Sequence, residues 1–374
     1  MKHDLTRPPD LLHETHMGPM RVQRPDYVSL LPPCNAACPA GENIQAWHAL
    51  VIEKRYKAAW QVLIEENPLP AVHGRVCYHP CESGCNRSQL DSPVSIHAVE
   101  RFLGDRAINK GWQVEWQPAA GGKRVLSVGA GPSGLSAAYH LTRLGHSVEI
   151  HEAGPTAGGM MHFGIPAYRM PRDVLAAAIR RIEAMGVRIV LNHKVGDLLA
   201  ERDAGRFDAV FVAIGAHISK HIDIPARDAG KMLDAVSFLA SVEAGEAPQL
   251  GRRVAVYGGG NTAMDAARVA KRLGADEALI IYRRDREHMP AHPFEADEAL
   301  EEGVGLEILT QPVAVLTENG HVSAIRCVRM RLGEPDESGR RRPIPVEGSE
   351  FEIACDAMVA AVAQAPEISF LDPD

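Results

Sequence analysis

Apolar residues recur at near-helical spacing over 42–66, at Ile44, Trp47, Val51, Ala58, Val62 and Leu63, which predicts a helix there. Asn67-Pro68 ends the pattern. A second amphipathic stretch, 93–110, carries Ile96, Val99, Phe102 and Leu103. All four tryptophans, Trp47, Trp60, Trp112 and Trp116, precede residue 117, so 34–118 reads as one helical unit. Residues 1–33 are rich in Pro, Arg and His without periodicity and read as an extended arm, and Pro118 to Gly122 as a linker.

The texture then changes. KRVLSV (123–128) is a short apolar strand. Gly129-Ala-Gly131-Pro132-Ser133-Gly134 follows, then a helical pattern to Leu144, Gly145 as its stop, and SVEIHE (147–152) as the next strand. The same order recurs at 252–284: RRVAVY, then Gly258-Gly259-Gly260-Asn261-Thr262-Ala263, a helix, and ALIIYRR. Two strand–turn–helix–strand units predict an α/β chain with two Rossmann-like dinucleotide-binding domains behind an α-helical domain.

The three glycines of the first loop answer different needs. Gly129 permits a tight turn, Gly131 the close approach of a pyrophosphate, and Gly134 helix–strand packing. The helix start after Gly131 offers free N–H groups to phosphate. Glu152, at the end of the second strand, sits where an acid accepts from a ribose. In the second loop Ala263 takes the third place. That unit's strand ends in Arg283-Arg284, which suit a 2′-phosphate or simply flank a solvated strand end, with Asp285 and Glu287 close by. The glycine-rich run 154–166, with Gly159, Gly164, Ile165 and Pro166, and the strand FDAVFVAIG ending in Gly215 suit backbone passing near an extended ligand.

Composition narrows the classes. Lys plus Arg is 40 and Asp plus Glu is 48, for a net charge of −8, and aromatics are 5%. That is a poor nucleic-acid grip. Every long apolar stretch is cut by charge, Gly or Pro, so no membrane span is expected. MKHDLTRPPD has no apolar core for a secretory signal, and a cytoplasmic location is expected. Seven cysteines are present, and Cys34, Cys38, Cys77, Cys81 and Cys85 cluster while Cys327 and Cys355 stand apart. In a large chain without export signals such a cluster points to a metal or redox site. No C-x-x-C lies in either nucleotide unit, which argues against a dithiol relay.

The run CxxxCP…GRVCxxxCExxC…GAGPSG…GGMMxFGIP…GGGNTAMD…YRR…MPA resembles the small (β) subunit of glutamate synthase and its relatives, among them the N-terminal half of dihydropyrimidine dehydrogenase. The resemblance covers roughly 32–366. It implies a helical iron–sulfur domain (34–118), a first part of an FAD domain (122–222), an NAD(P)H domain (223–352) and a return to the FAD domain (353–374). It implies that Gly129, Gly131, Gly134, Glu152, Gly159, Gly164, Ile165 and Pro166 face FAD. Gly259, Gly260, Asn261, Thr262, Asp265, Arg283 and Arg284 would face the nicotinamide nucleotide. One 4Fe–4S cluster would take Cys38, Cys77 and Cys81 with Glu100 in the fourth place, or alternatively Cys34 or Cys85 as fourth ligand. A second cluster would keep only Cys34 and Cys85. Ala363 stands where relatives carry Gly, AHPFE (291–295) lacks their basic residue, and the FAD segment that they carry further on is not within the 374 residues.

The implied function is an electron-transfer flavoprotein subunit linking NAD(P)H to a partner redox subunit or ferredoxin, within a hetero-oligomer. Its chemistry is carried by cofactors and needs no catalytic side chain. The rivals are a stand-alone NAD(P)H dehydrogenase for a soluble acceptor and a non-catalytic nucleotide-binding scaffold. His73, His79 and His97 are read as structural or as donors to cluster sulfur.

Overall fold

The computed structural model describes residues 31–117, 121–219, 232–335 and 339–371. The arm 1–33 falls almost wholly outside the described residues, as does most of the linker.

The stretch 42–66 forms two helices, Ile44–Ile52 and Tyr56–Leu63. Asn43 starts the first, its side chain accepting from the Ala46 N–H. The break falls at the polar run Glu53-Lys54-Arg55, where Lys54 turns left-handed at φ 60°. Trp47, Trp60, Leu63 and Leu103 are buried between these helices and Ile96–Asn109. The helix Pro70–Val76 crosses Ile96–Asn109 through two glycines. A Cβ on Gly74 would lie 2.4 Å from the Arg101 nitrogen, and one on Gly104 2.3 Å from that of Ala71. That close crossing places Cys77, at the end of Pro70–Val76, beside Glu100.

The first nucleotide unit is a four-stranded parallel sheet in the order Arg188–Val190, Ser147–His151, Arg124–Val128, Ala209–Val212. One face packs on the helices Pro132–Arg143 and Arg172–Glu183 through Val125, Val148, Ile150, Leu135 and Ile179. Leu126 and Val128 pack on the other face against Val195 and Phe207. Burial on both faces explains the continuous apolar run of the first strand. The cysteine-bearing unit docks here: Leu69 and Val72 join this core, and Tyr139 Oη donates to the Ile64 carbonyl at 2.6 Å.

The second unit is a five-stranded parallel sheet ordered Met232–Asp234, Ala357–Ala360, Arg253–Tyr257, Glu277–Ile281, Gly305–Glu307. Helices Ala235–Glu243, Asn261–Arg272 and Pro293–Glu301 cover one face. On the other face lie the antiparallel strands Thr310–Glu318, His321–Pro335, Arg341–Pro345 and Phe351–Ala354, packed through Val315, Ile325 and Cys327. The boundary expected at 352/353 falls before the strand Ala357–Ala360. Residues 357–360 sit inside the second sheet because their apolar run pairs with Arg253–Tyr257 on one side and Met232–Asp234 on the other. After them Gln364–Ala365 pairs antiparallel with Ile218–Ser219, the strand that leads out of the first unit. Among the described residues no helix is long and apolar enough to cross a membrane.

Candidate functional site

The two glycine loops are built alike. Gly129 follows the strand Arg124–Val128 at φ 105°, and a Cβ there would lie 2.4 Å from the Ala213 carbonyl oxygen. Gly258 follows Arg253–Tyr257 at φ 156°, and its Cβ would lie 2.2 Å from that of Ala361. Both are therefore fixed as glycine by backbone shape and a facing carbonyl. Gly131 and Gly260 precede the helices Pro132–Arg143 and Asn261–Arg272, and neither helix has a side-chain cap. Both have ordinary negative φ, and their added Cβ atoms would meet nothing nearer than 3.9 and 4.0 Å. Their lack of a side chain leaves room above uncapped N–H groups, the shape that a pyrophosphate fills. Gly134, by contrast, is a packing glycine, its Cβ 1.9 Å from the Gly129 oxygen; Ala263 fills the same place and is fully buried.

Pro132 and Ser133 form the first helical turn. Glu152 closes the loop, its Oε2 accepting from the Ala130 N–H at 2.7 Å and its Oε1 from that of Gly154 at 2.8 Å. Gly159, at φ 52°, comes so near that its Cβ would lie 2.8 Å from the Gly131 Cα. The second glycine run thus lies directly over the first. Gly164 packs on Met160, while Ile165 and Pro166 line a cleft of about 200 Å³ between the two units, opposite Leu239 and Val242. Gly215 takes φ 69° in open space just beyond Ala209–Val212.

Several residues expected at the nicotinamide nucleotide make contacts between the units. Asp265 is 5% exposed, and both its oxygens accept from one Arg169 nitrogen, each at 2.7 Å. Burial pushes its carboxyl up to about 6, against the pull of Arg169. Arg169 also reaches the buried Glu295. Asn261 donates to the Tyr78 hydroxyl and accepts from the His292 N–H at 2.9 Å. Tyr78 stacks on His292 with ring centroids 3.9 Å apart. Arg283 is exposed, whereas Arg284 is buried and donates from Nε to the Arg341 carbonyl at 2.8 Å. Thr262 is half-buried in the first turn of its helix. Sequence reading did not find Tyr78, Arg169 or His292. Their partners lie far away in the chain, and no local pattern marks them.

Cys38, Cys77 and Cys81 lie within reach of one another's charge, with Glu100 and Glu42 near Cys77. Burial raises all three thiols, Cys81 to about 12. Backbone N–H groups of Ala40, Gly41 and Glu42 oppose this at Cys38, and that of His79 lies 3.4 Å from the Cys77 sulfur. Thiols that resist ionising alone but sit among backbone donors fit a site where iron supplies the positive charge. Among the described residues the cysteines form no trio with ligand atoms all within 4.8 Å. A single tetrahedral zinc, with sulfurs about 2.3 Å from the ion, would require that closeness. Glu100 is 6% exposed, its carboxyl raised well above the ordinary range by burial first and by Glu42 second. Asn67 bridges the two acids, donating at 2.8 Å to each, and its oxygen meets His73 Nδ1 at 2.8 Å. Cys34 meets the Asn35 oxygen at 3.6 Å, and Cys85 precedes the short turn Asn86–Gln89.

Comparison with known proteins agrees with this layout. Residues 29–112 match the family described as dihydropyrimidine dehydrogenase domain II, 4Fe-4S cluster. Residues 128–169 match the NAD(P)-binding Rossmann-like domain, and 201–373 the pyridine nucleotide-disulphide oxidoreductases. The chain is 43% identical over 366 residues to the NADP(+)-dependent formate dehydrogenase subunit beta of Moorella thermoacetica, covering 91% of this chain and 52% of that one. It is 43% identical to the NADPH-Fe(3+) oxidoreductase subunit beta of Geobacter sulfurreducens, with coverage of 91% and 52%. It thus spans about half the length of these curated relatives. To the glutamate synthase [NADPH] small chain of Escherichia coli it is 35% identical, covering 90% of this chain and 74% of that one. Among solved structures, Mycobacterium tuberculosis FprA in complex with NADPH shares the fold with a TM-score of 0.55 at 20% identity, over 65% of this chain and 71% of that one. On this sequence and this architecture, the chain belongs to the glutamate synthase small-chain family of FAD- and NAD(P)H-dependent oxidoreductases with a 4Fe–4S domain.

Proposed function

We propose that this chain is the electron-transfer flavoprotein part of a larger complex, taking electrons from NADPH and handing them to a partner redox subunit or ferredoxin. One observation carries the reading. The segment 69–79 touches all three units: Leu69 and Val72 lie in the first unit's core, Cys77 in the thiol group, and Tyr78 on Asn261 of the second glycine loop. The relatives' names as NADP-linked subunits support both the nucleotide and the complex.

Nicotinamide, flavin and cluster supply hydride transfer, conversion of electron pairs to single electrons, and onward conduction when bound. The chain's residues bind and orient. Gly131 and the helix start behind it would hold the FAD pyrophosphate, with Pro132, Ser133, Gly134 and Gly159 shaping the floor and Glu152 positioned for the ribose. Gly164, Ile165, Pro166 and Gly215 would border its extended part. Gly260 and its helix would hold NADPH between Gly258, Gly259 and Thr262, with exposed Arg283 available to the 2′-phosphate. Asn261 and Asp265 act through Tyr78 and Arg169 to hold the units in register. Cys38, Cys77, Cys81 and Glu100 would ligate the cluster; Cys34 and Cys85 are too few for a second.

The decisive measurement is iron, acid-labile sulfide and flavin per chain on anaerobically purified protein, with spectra before and after NADPH or NADH. About four iron, four sulfide and one FAD, bleached by NADPH, is the expected result. Folded protein without iron or flavin would leave only the scaffold reading. Full turnover with a soluble acceptor in the absence of any partner would favour the stand-alone dehydrogenase.

A further inference from the structure

The first nucleotide unit carries a second group of ligating side chains, outside the glycine loops and without a cysteine among them. His151 ends the strand Ser147–His151, packs beside Phe207 and is 6% exposed. Its Nε2 lies 2.9 Å from Glu149 Oε1, while Glu149 Oε2 accepts from Arg188 at 3.2 Å. Its other nitrogen, Nδ1, is buried and makes no hydrogen bond. That atom lies 3.1 Å from Glu201 Oε1, and His193 Nε2 lies 2.9 Å from the same oxygen. The ligand atoms of His151, His193 and Glu201 all fall within 4.8 Å of one another. Glu201 stands on the helix Leu198–Gly205 and His193 in the loop before it.

The geometry points to a divalent transition-metal site, with Zn²⁺ as the best-suited ion, held by His151 Nδ1, His193 Nε2 and Glu201. Glu149 takes the Nε2–H of His151, which fixes the tautomer and leaves Nδ1 as a lone pair near Glu201. A carboxylate behind a ligating imidazole is the usual supporting arrangement at zinc. A buried lone pair 3.1 Å from a carboxylate oxygen, with no hydrogen bond between them, leaves a gap that a positive charge would fill. Ligands about 2.0–2.2 Å from a tetrahedral ion stand about 3.4 Å apart, slightly wider than the distances seen here. Two imidazoles and one carboxylate suit zinc better than calcium or magnesium, which take oxygen ligands. Side chains of His193 and Glu201 are 41% and 24% exposed, which gives an ion access and a water as fourth ligand. The His193 N–H donates to the Glu152 carbonyl at 2.8 Å, so the ion would stiffen the backbone that carries Glu152. The rival filling of the gap is a proton on His151.

The experiment uses the full chain with its flavin and cluster, stripped with a mild chelator and dialysed against Zn²⁺. Bound zinc is counted, and its ligand distances are read by zinc-edge X-ray absorption. We expect one zinc more than in His193→Ala, with nitrogen and oxygen neighbours at about 2.0–2.1 Å and no sulfur near 2.3 Å. Glu149→Gln should weaken zinc binding about 10–100-fold. His193→Ala should keep the zinc-free melting temperature, which separates lost ligation from lost folding. No zinc, equal zinc in parent and His193→Ala, or a sulfur shell from the cysteines would each overturn the site.

Discussion

One guanidinium nitrogen of Arg169 lies 2.7 Å from both carboxylate oxygens of Asp265, tying the segment after Pro166 to the helix Asn261–Arg272 of the other unit. Both side chains are largely buried, at 14% and 7% exposed. Arg169 holds two buried carboxylates, Asp265 and Glu295, so Arg169→Ala strands both and should cost about 3–5 kcal/mol in denaturant unfolding, more than Asp265→Ala, which leaves Arg169 on Glu295. Because the loss is mostly stranded charge, the triple change Arg169→Met, Asp265→Leu and Glu295→Leu should cost less than Arg169→Ala alone. Additive losses would refute the coupling.

The glycines separate folding from binding. Gly131→Ala and Gly260→Ala place a methyl group in open space at backbone angles that alanine accepts. Both proteins should fold normally. The first should lose flavin and keep NADPH affinity, and the second should do the reverse, as read by flavin content and nucleotide titration. Gly129→Ala and Gly258→Ala drive a Cβ against a carbonyl at positive φ and should fail to give folded protein.

His73 carries a pH dependence. Burial lowers it to about 4 in the folded chain, against about 6.5 when unfolded. Between these values the unfolded state holds the extra proton, so stability is intact above pH 6.5 and falls as pH drops toward 4. The loss should reach about 3 kcal/mol at most, since one unit corresponds to about 1.4 kcal/mol. His73→Gln should flatten stability over that window in denaturation at stepped pH. An unchanged slope would place the titrating group elsewhere.

Cysteine replacement tests the ligand set. Cys38→Ser, Cys77→Ser and Cys81→Ser should each abolish the iron, because the three thiols lie near one another with Cys77 beside Glu100. Cys34→Ser and Cys85→Ser should leave about four iron per chain, the content of one 4Fe–4S cluster. Loss of iron in Cys34→Ser or Cys85→Ser would assign the fourth place to that thiolate instead of Glu100.

Both glycine loops were legible in the sequence because a tight turn, an uncapped helix start and two flanking strands are local properties. The helix break at Lys54 was not, since a single left-handed residue leaves the apolar spacing on either side intact. Asn261 and Asp265 sit where the glycine pattern places nucleotide-facing residues, yet their side chains are held by Tyr78 and Arg169, 183 and 96 residues away. The pair Arg283-Arg284 split for a similar reason: one stays in solvent, and the other is buried on the Arg341 backbone. The apolar run of Ala357–Ala360 is a local property, but its strand neighbours are set by pairings across the whole second unit.

That last strand governs how the chain is made. Ala357–Ala360 lies between Met232–Asp234 and Arg253–Tyr257, with the entire antiparallel layer inserted before it in sequence. A nascent chain emerging from the ribosome can complete the first parallel sheet once Val212 is clear. The second must wait, with a slot open at its middle, until Ala360 follows. During synthesis the second unit therefore exposes two unpaired strand edges for roughly a hundred further residues, the interval in which chaperones or a co-assembling subunit have most to shield.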